Sequence, residues 1–290
     1  MLVHKLRAIL LGIPFLSIPL MGTTVVVFIT TGGIVISSDS KAVLRTPDFA
    51  VAGEEDRAKF VILKKRIVVG TVGLGSIKNA SFQYDFLAWM DRLDRDLPTD
   101  VSVDDVVSVI EKESPAAFAT FYAYAFKNGA IKRNFADEAC QMVVHFVVAG
   151  YQNGAPRIYE VKFDIDWNSQ TFIGPNKFLL YSDVPKPSDY LTLAFGIHEA
   201  ITDPFNRESY AHQKARTLCP NAIAELDARK YPSFNETIAL SRALIQVEES
   251  TNPNVVGGPV RTAKILPDGR AEEVVITTAL PECKVATKKK

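Results

Sequence analysis

A chain of 290 residues with 47% apolar side chains can bury a sizeable core, as one large domain or two small ones. Lys plus Arg equals Asp plus Glu at 33 each, so no overall field draws the chain to nucleic acid or to an anionic membrane. The three cysteines, Cys140, Cys219 and Cys283, stand far apart with no CxxC pair or histidine cluster, which excludes a disulfide scaffold and gives no zinc-site pattern.

The first 22 residues stand apart. His4, Lys5 and Arg7 precede an almost wholly apolar run over residues 8–21, the pattern of a secretory signal and too short for a stable membrane span. Pro14 and Pro19 interrupt the run, and Leu20-Met21-Gly22 is a poor small-x-small cleavage site. Export, to a periplasm for example, is the expectation. The alternatives are a propeptide on a cytoplasmic protein or a true start at Met21. Each of the three makes Thr23 a new N-terminus.

Residues 25–29 and 34–36 are β-branched-rich runs around Gly32-Gly33, which predicts a tight β-hairpin. Residues 42–56, with Pro47 and Gly53, read as a loop with short strands. Residues 59–69 form a second hairpin that turns at Lys64-Lys65-Arg66. Phe82, Phe86, Trp89, Met90 and Leu93 recur at helical spacing, predicting a helix over 76–97 that Pro98 stops. Ser102-Val103-Asp104-Asp105 resembles a capping box opening a second helix, whose apolar face continues through Val106, Val107 and Ile110. Pro115 is expected to kink or restart that helix before it ends near Gly129.

Residues 142–149 and 157–163 alternate as strands around Gln152-Asn153-Gly154, a strong turn signal. Strand-like pieces follow at 178–182 and 191–196, then a polar, partly helical stretch over 200–230. Ser233-Phe234-Asn235-Glu236 caps a helix through Val247, and strands over 255–266 and 273–277 turn at Pro267-Asp268-Gly269. The order predicts an α+β fold of two antiparallel sheets with helices outside, in one domain without linker or repeat.

Chemistry gathers at the two ends of the first hairpin. Gly22-Thr23-Thr24 opens it and Asp39-Ser40-Lys41 closes it, so pairing across the turn returns Asp39 close to Thr23. These two triplets, at this spacing, resemble the first hairpin of a proteasome β-subunit-like peptidase, an N-terminal nucleophile (Ntn) hydrolase. Lys59-Phe60-Val61-Ile62-Leu63 through Gly70-Thr71-Val72-Gly73 is similar to the family's Lys-led strand and the glycine segment after it. Residues 147–161 resemble its central hairpin, and the likeness spans roughly residues 22–269.

The resemblance implies a four-layer αββα sandwich over residues 23–280, after a signal or propeptide at 1–22 and before a polar basic tail at 281–290. It implies a threonine-type peptidase or amidase acting on peptide or amide substrates through an acyl-enzyme, without metal or cofactor, in a homo-oligomer. Thr23 would be nucleophile and, through its freed α-amine, base. An α-amine titrates near about 8, and a neighbouring ammonium lowers it further. Lys59 is the candidate for that ammonium, with Asp39 holding it charged and oriented, and the Gly73 N–H is the candidate oxyanion donor.

The chain departs from the family pattern at three positions. Ile197 stands where a Ser is expected, and Pro253 and Val256 stand where an Asp and a Ser precede the Gly257-Gly258 pair. His198 is a structural side chain or a substitute for the lost contact. An alternative of another class is therefore a non-catalytic Ntn-fold subunit of an assembly. A distant third is a nucleotide-binding protein, from the Gly-rich run Gly70-Thr71-Val72-Gly73-Leu74-Gly75, which lacks the third glycine of a dinucleotide motif. Asn79-Ala80-Ser81 and Asn235-Glu236-Thr237 have the form of glycosylation sequons, but at helix starts capping is the simpler explanation.

Overall fold

The computed structural model describes residues 23–45, 51–73, 76–78, 83–127, 144–166, 169, 171–186, 191–196, 199–201, 206–218, 220, 223–224, 233–254 and 256–274. The expectations for residues 1–22, the three cysteines, the Asn79 sequon, Ile197, His198 and the tail at 281–290 lie outside the described residues.

The strands are β1 (Thr24–Thr30), β2 (Gly33–Ser38), β3 (Lys41–Arg45), β4 (Val51–Asp56), β5 (Phe60–Leu63), β6 (Ile67–Val72), β7 (Ser76–Lys78) and β8 (Gln83–Asp85). They continue with β9 (His145–Gln152), β10 (Ala155–Asp166), β11 (Thr171–Tyr181), β12 (Leu191–Gly196), β13 (Arg261–Ile265) and β14 (Ala271–Glu273). The α-helices among the described residues are α1 (Phe86–Asp96), α2 (Val103–Lys127), α3 (Tyr210–Leu218) and α4 (Phe234–Thr251). One five-stranded sheet runs β12-β1-β2-β13-β14 and another β11-β10-β9-β6-β5, with small hairpins β3-β4 and β7-β8. Every described pairing is antiparallel.

Strand periodicity sorts the core. On β1 and β2, Val25, Val27, Ile29, Ile34 and Ile36 face the second sheet and pack with its Phe60, Val68, Val72, Val147, Ala149 and Ile158. The alternate residues Val26, Phe28 and Val35 face the other way, onto Leu240, Ala243, Leu244 and Val247 of α4. The far side of the second sheet, Val69, Phe146, Val148, Val161 and Phe163, packs with Phe86, Met90 and Leu93 of α1 and Val106, Ile110 and Phe118 of α2. Both faces of β1 and β2 are covered, so all their residues are buried. The result is a mixed α/β protein of antiparallel sheets flanked by helices.

Two local expectations are corrected. The helix expected over 76–97 begins only at Phe86, and residues 76–78 and 83–85 pair instead as the β7-β8 hairpin. Asp85 sets the boundary, because its extended backbone ends the strand and its carboxylate accepts the Ala88 N–H at 3.1 Å as an N-cap. α2 does not restart at Pro115 but runs through it as one helix. At the start of α2, Ser102 Oγ accepts the Asp105 N–H at 3.1 Å while Asp105 accepts the Ser102 N–H at 3.0 Å, a reciprocal cap.

The apolar positions of α4 are spent on the core rather than on an outer face. Among the described residues the large exposed apolar side chains lie elsewhere: Ile173, Phe178 and Leu179 on β11, the edge of the second sheet, with Val184 just beyond it and Tyr210 on α3. No helix among the described residues is long and apolar enough to cross a membrane.

Candidate active site

The first hairpin delivers Asp39 to the base of β1. Register pairs Val25 with Ser38, and the chain then turns so that the Asp39 N–H donates to the Thr24 carbonyl at 3.3 Å. The Thr24 N–H donates back to Asp39 Oδ1 at 2.8 Å, and the Gly257 N–H approaches Oδ2 at 3.5 Å. Asp39 is fully buried. Burial pushes its carboxyl up from 3.8 to about 7, although the Lys59 charge and these backbone donors favour the anion.

Lys59 reaches the same end from the second sheet. It stands just before β5, and its carbonyl accepts the Thr71 N–H of β6 at 2.8 Å. Its side chain is buried too, and that burial lowers the ammonium below its usual 10.5, against the pull of Asp39. The two shifts narrow the gap between acid and base. Each charge is there at the expense of water, so each depends on the other.

Thr23 is buried, and its hydroxyl has no protein hydrogen-bond partner among the described residues. An unsatisfied buried hydroxyl costs about 1–3 kcal/mol, which calls for an explanation beyond packing. Gly196, the cross-strand partner of Thr24, turns there with φ +79. A Cβ on Gly196 would overlap the Thr23 carbonyl oxygen and lie 2.9 Å from Val72 Cγ1. Thr23, Gly196 and Val72 are thus one close contact, and Gly73 follows Val72 directly with φ +91. The four residues singled out from sequence, Thr23, Asp39, Lys59 and Gly73, all lie at this end of the two sheets. Thr23 and Gly73 meet through Gly196 and Val72, and Asp39 and Lys59 meet through their charges.

Of the departures, Val256 is buried in the apolar layer between β1, β2 and α4. The carbonyl of Pro253 accepts from Lys41 Nζ at 2.9 Å. Val256 thus packs where a polar side chain is expected, whereas the Pro253 contact is made by its backbone. The Gly-rich run leads into the short strand β7, and β6 lies between antiparallel neighbours rather than in a βαβ unit. No three His, Cys, Asp or Glu side chains among the described residues gather as a metal site would need.

Sequence reading treated Gly196 only as the end of a strand and Gly257 only as part of a family marker. Gly257 anchors the Asp39 turn: its carbonyl accepts the N–H groups of Ser40 at 3.1 Å and Lys41 at 2.9 Å. The Gly-Gly pair after a helix was the available signal for Gly257, and the strand end was that for Gly196, though not for its contact with Thr23.

No family model matches this chain, and no curated protein does. Among solved structures it is similar to the "Anbu (Gly-1) mutant" of Hyphomicrobium sp. strain MC1, with 12% identity over 88% of this chain and 89% of that one, and a TM-score of 0.39. At that level the likeness says nothing of activity.

Proposed function

We propose that this chain is a threonine-type peptidase or amidase with the four-layer αββα architecture of the Ntn hydrolases, its catalytic domain at residues 23–280 and its N-terminus at Thr23 after loss of residues 1–22. The observation that carries the reading is the clasp between Asp39 and Thr24, next to an unpartnered Thr23 hydroxyl, with the Lys59 charge bearing on the same carboxylate. A site built only for packing would not bury an acid, a lysine and an orphan hydroxyl together.

The chemistry follows from the freed α-amine. In its neutral form it takes the Thr23 hydroxyl proton while Oγ1 bonds to the substrate carbonyl carbon. The Gly73 N–H receives the developing oxyanion, the scissile C–N bond breaks, and the proton passes to the departing amine. Water then cleaves the Thr23 ester and returns its proton through the same amine. Lys59 keeps the amine neutral by like-charge repulsion, and Asp39 offsets the cost of burying Lys59. Peptides or amides are the substrates; export to a periplasm and homo-oligomerisation belong to the same proposal.

The second reading is a non-catalytic subunit of an assembly, favoured by Val256, whose burial replaces a polar contact with packing. Intact-mass analysis of the protein from its own host, with and without a β-lactone, separates the two. The enzyme reading expects a chain beginning at Thr23 that gains one adduct. A chain that retains Gly22 and gains none belongs to the second reading.

A further inference from the structure

One hydrogen-bonded side-chain pair on the inter-sheet face has no part in the chemistry above. His145 opens β9 and is the register partner of Val72, the residue that touches the Thr23–Gly196 contact. Its neighbours alternate: Val147 and Ala149 face the first sheet, whereas Phe146 and Val148 face α1 and α2. His145 shares the face of Val147. Glu160 on β10 shares it too, by the same alternation with Ile158. His145 Nδ1 and Glu160 Oε1 stand 2.8 Å apart, diagonal neighbours across the β9-β10 ladder.

An ionised carboxylate only accepts, so Nδ1 is the donor and a neutral imidazole is left with Nε2 as acceptor. The side chains keep 19% and 18% of their surface exposed, so neither is sealed from a ligand. Cross-strand partners place their Cβ atoms about 5 Å apart, so the pair lies on the far side of Val72 from Lys59. Lys162, the register partner of His145, is itself held by Asp164 at 2.9 Å. With the ring neutral the pair offers two acceptors, next to Val72 at the candidate active-site end of the sheet.

We propose that His145 and Glu160 form a specificity subsite that takes a basic side chain of the substrate next to the scissile bond, a reading that rests on Thr23 being the nucleophile. The ammonium or guanidinium is accepted by Glu160, and His145 fixes that carboxylate and adds Nε2 as a second acceptor.

The test uses the protein purified from its own host, with intact mass showing that it begins at Thr23, and peptide epoxyketones that differ only in a lysine, a norleucine or a glutamate next to the warhead. Wild type should label faster with the lysine probe. In Glu160→Gln the lysine-to-norleucine rate ratio should fall roughly tenfold, equivalent to about 1.4 kcal/mol. Glu160→Lys should favour a glutamate probe over the lysine one. Circular dichroism and thermal unfolding check that the variants fold, and the ratio is insensitive to a general loss of activity. Equal ratios in wild type and Glu160→Gln overturn the subsite while leaving the Thr23 reading intact. Failure of wild type to label with either probe or with a β-lactone overturns both.

Discussion

Asp39 and Thr24 hold each other by reciprocal hydrogen bonds, one from the Thr24 N–H to the carboxylate and one from the Asp39 N–H to the Thr24 carbonyl. The residue after the candidate nucleophile is thus fixed to the group that faces Lys59. The carboxylate is both a structural acceptor and a buried charge, and the two roles respond differently to pH.

The first prediction separates them. A carboxyl whose folded value, about 7, lies above its free value of 3.8 contributes stability that is complete below 3.8 and lost as pH rises through about 7. Lys59, lowered from 10.5, contributes stability present above that value and lost as pH falls. Asp39→Asn keeps an oxygen for the Thr24 N–H and removes the titration. Relative to wild type it should gain stability as pH rises from about 4 to 7, by up to about 1.4 kcal/mol per pH unit. Urea titrations across that window measure it. A variant that loses ground with rising pH would mean that Asp39 behaves as an ordinary salt-bridged acid.

Lys59 carries the second. Lys59→Ala should slow labelling of Thr23 by an epoxyketone or β-lactone about a hundredfold or more. Lys59→Arg should not restore it, since a planar fork cannot replace a compact ammonium. Labelling of Lys59→Ala at the wild-type rate would remove Lys59 from the catalytic assignment.

Gly196→Ala is the third. The φ of +79 alone costs an L-residue about 1–2 kcal/mol, and the overlap with the Thr23 carbonyl adds to it. At about 2–4 °C per kcal/mol for a chain of this size class, the melting temperature should fall by at least several degrees. An unchanged melting curve would contradict the close approach of β12 to Thr23.

The fourth concerns assembly. Phe178, at 47% exposure, lies beside Leu179 on β11, the edge strand of its sheet among the described residues. Light scattering at micromolar concentration should give a mass above one chain, and Phe178→Asp with Leu179→Asp should lower it. A wild-type mass of one chain would end the oligomer proposal.

Much of the site was readable because it is built from short-range chemistry. The Gly32-Gly33 turn and the β-branched runs set the first register, and that register carries Asp39 back to Thr24. The Lys64-Lys65 turn set β5 against β6 in the same way. Residues 76–85 misled because Phe82, Phe86 and Met90 fit a helical period, while the Asp85 cap that overrides it lies inside the run. Gly196 and Val72 were illegible for a different reason: their value exists only once β12, β1 and β6 converge, and no local pattern encodes that meeting. Pro115 shows the converse, a local breaker outvoted by the packing of Ile110 and Phe118 on either side of it.

The complete burial of β1 has a consequence for maturation. A newly cut chain end is ordinarily a loose one, free to fray and expensive to hold in place. Here removal of residues 1–22 would create an end already woven between β12 and β2, in the interior of its sheet. Amide hydrogens along Thr24–Thr30 should exchange only through global unfolding, before the cut and after it. The cleaved protein would thus inherit its reactive terminus in a position set beforehand, with no refolding step between processing and use.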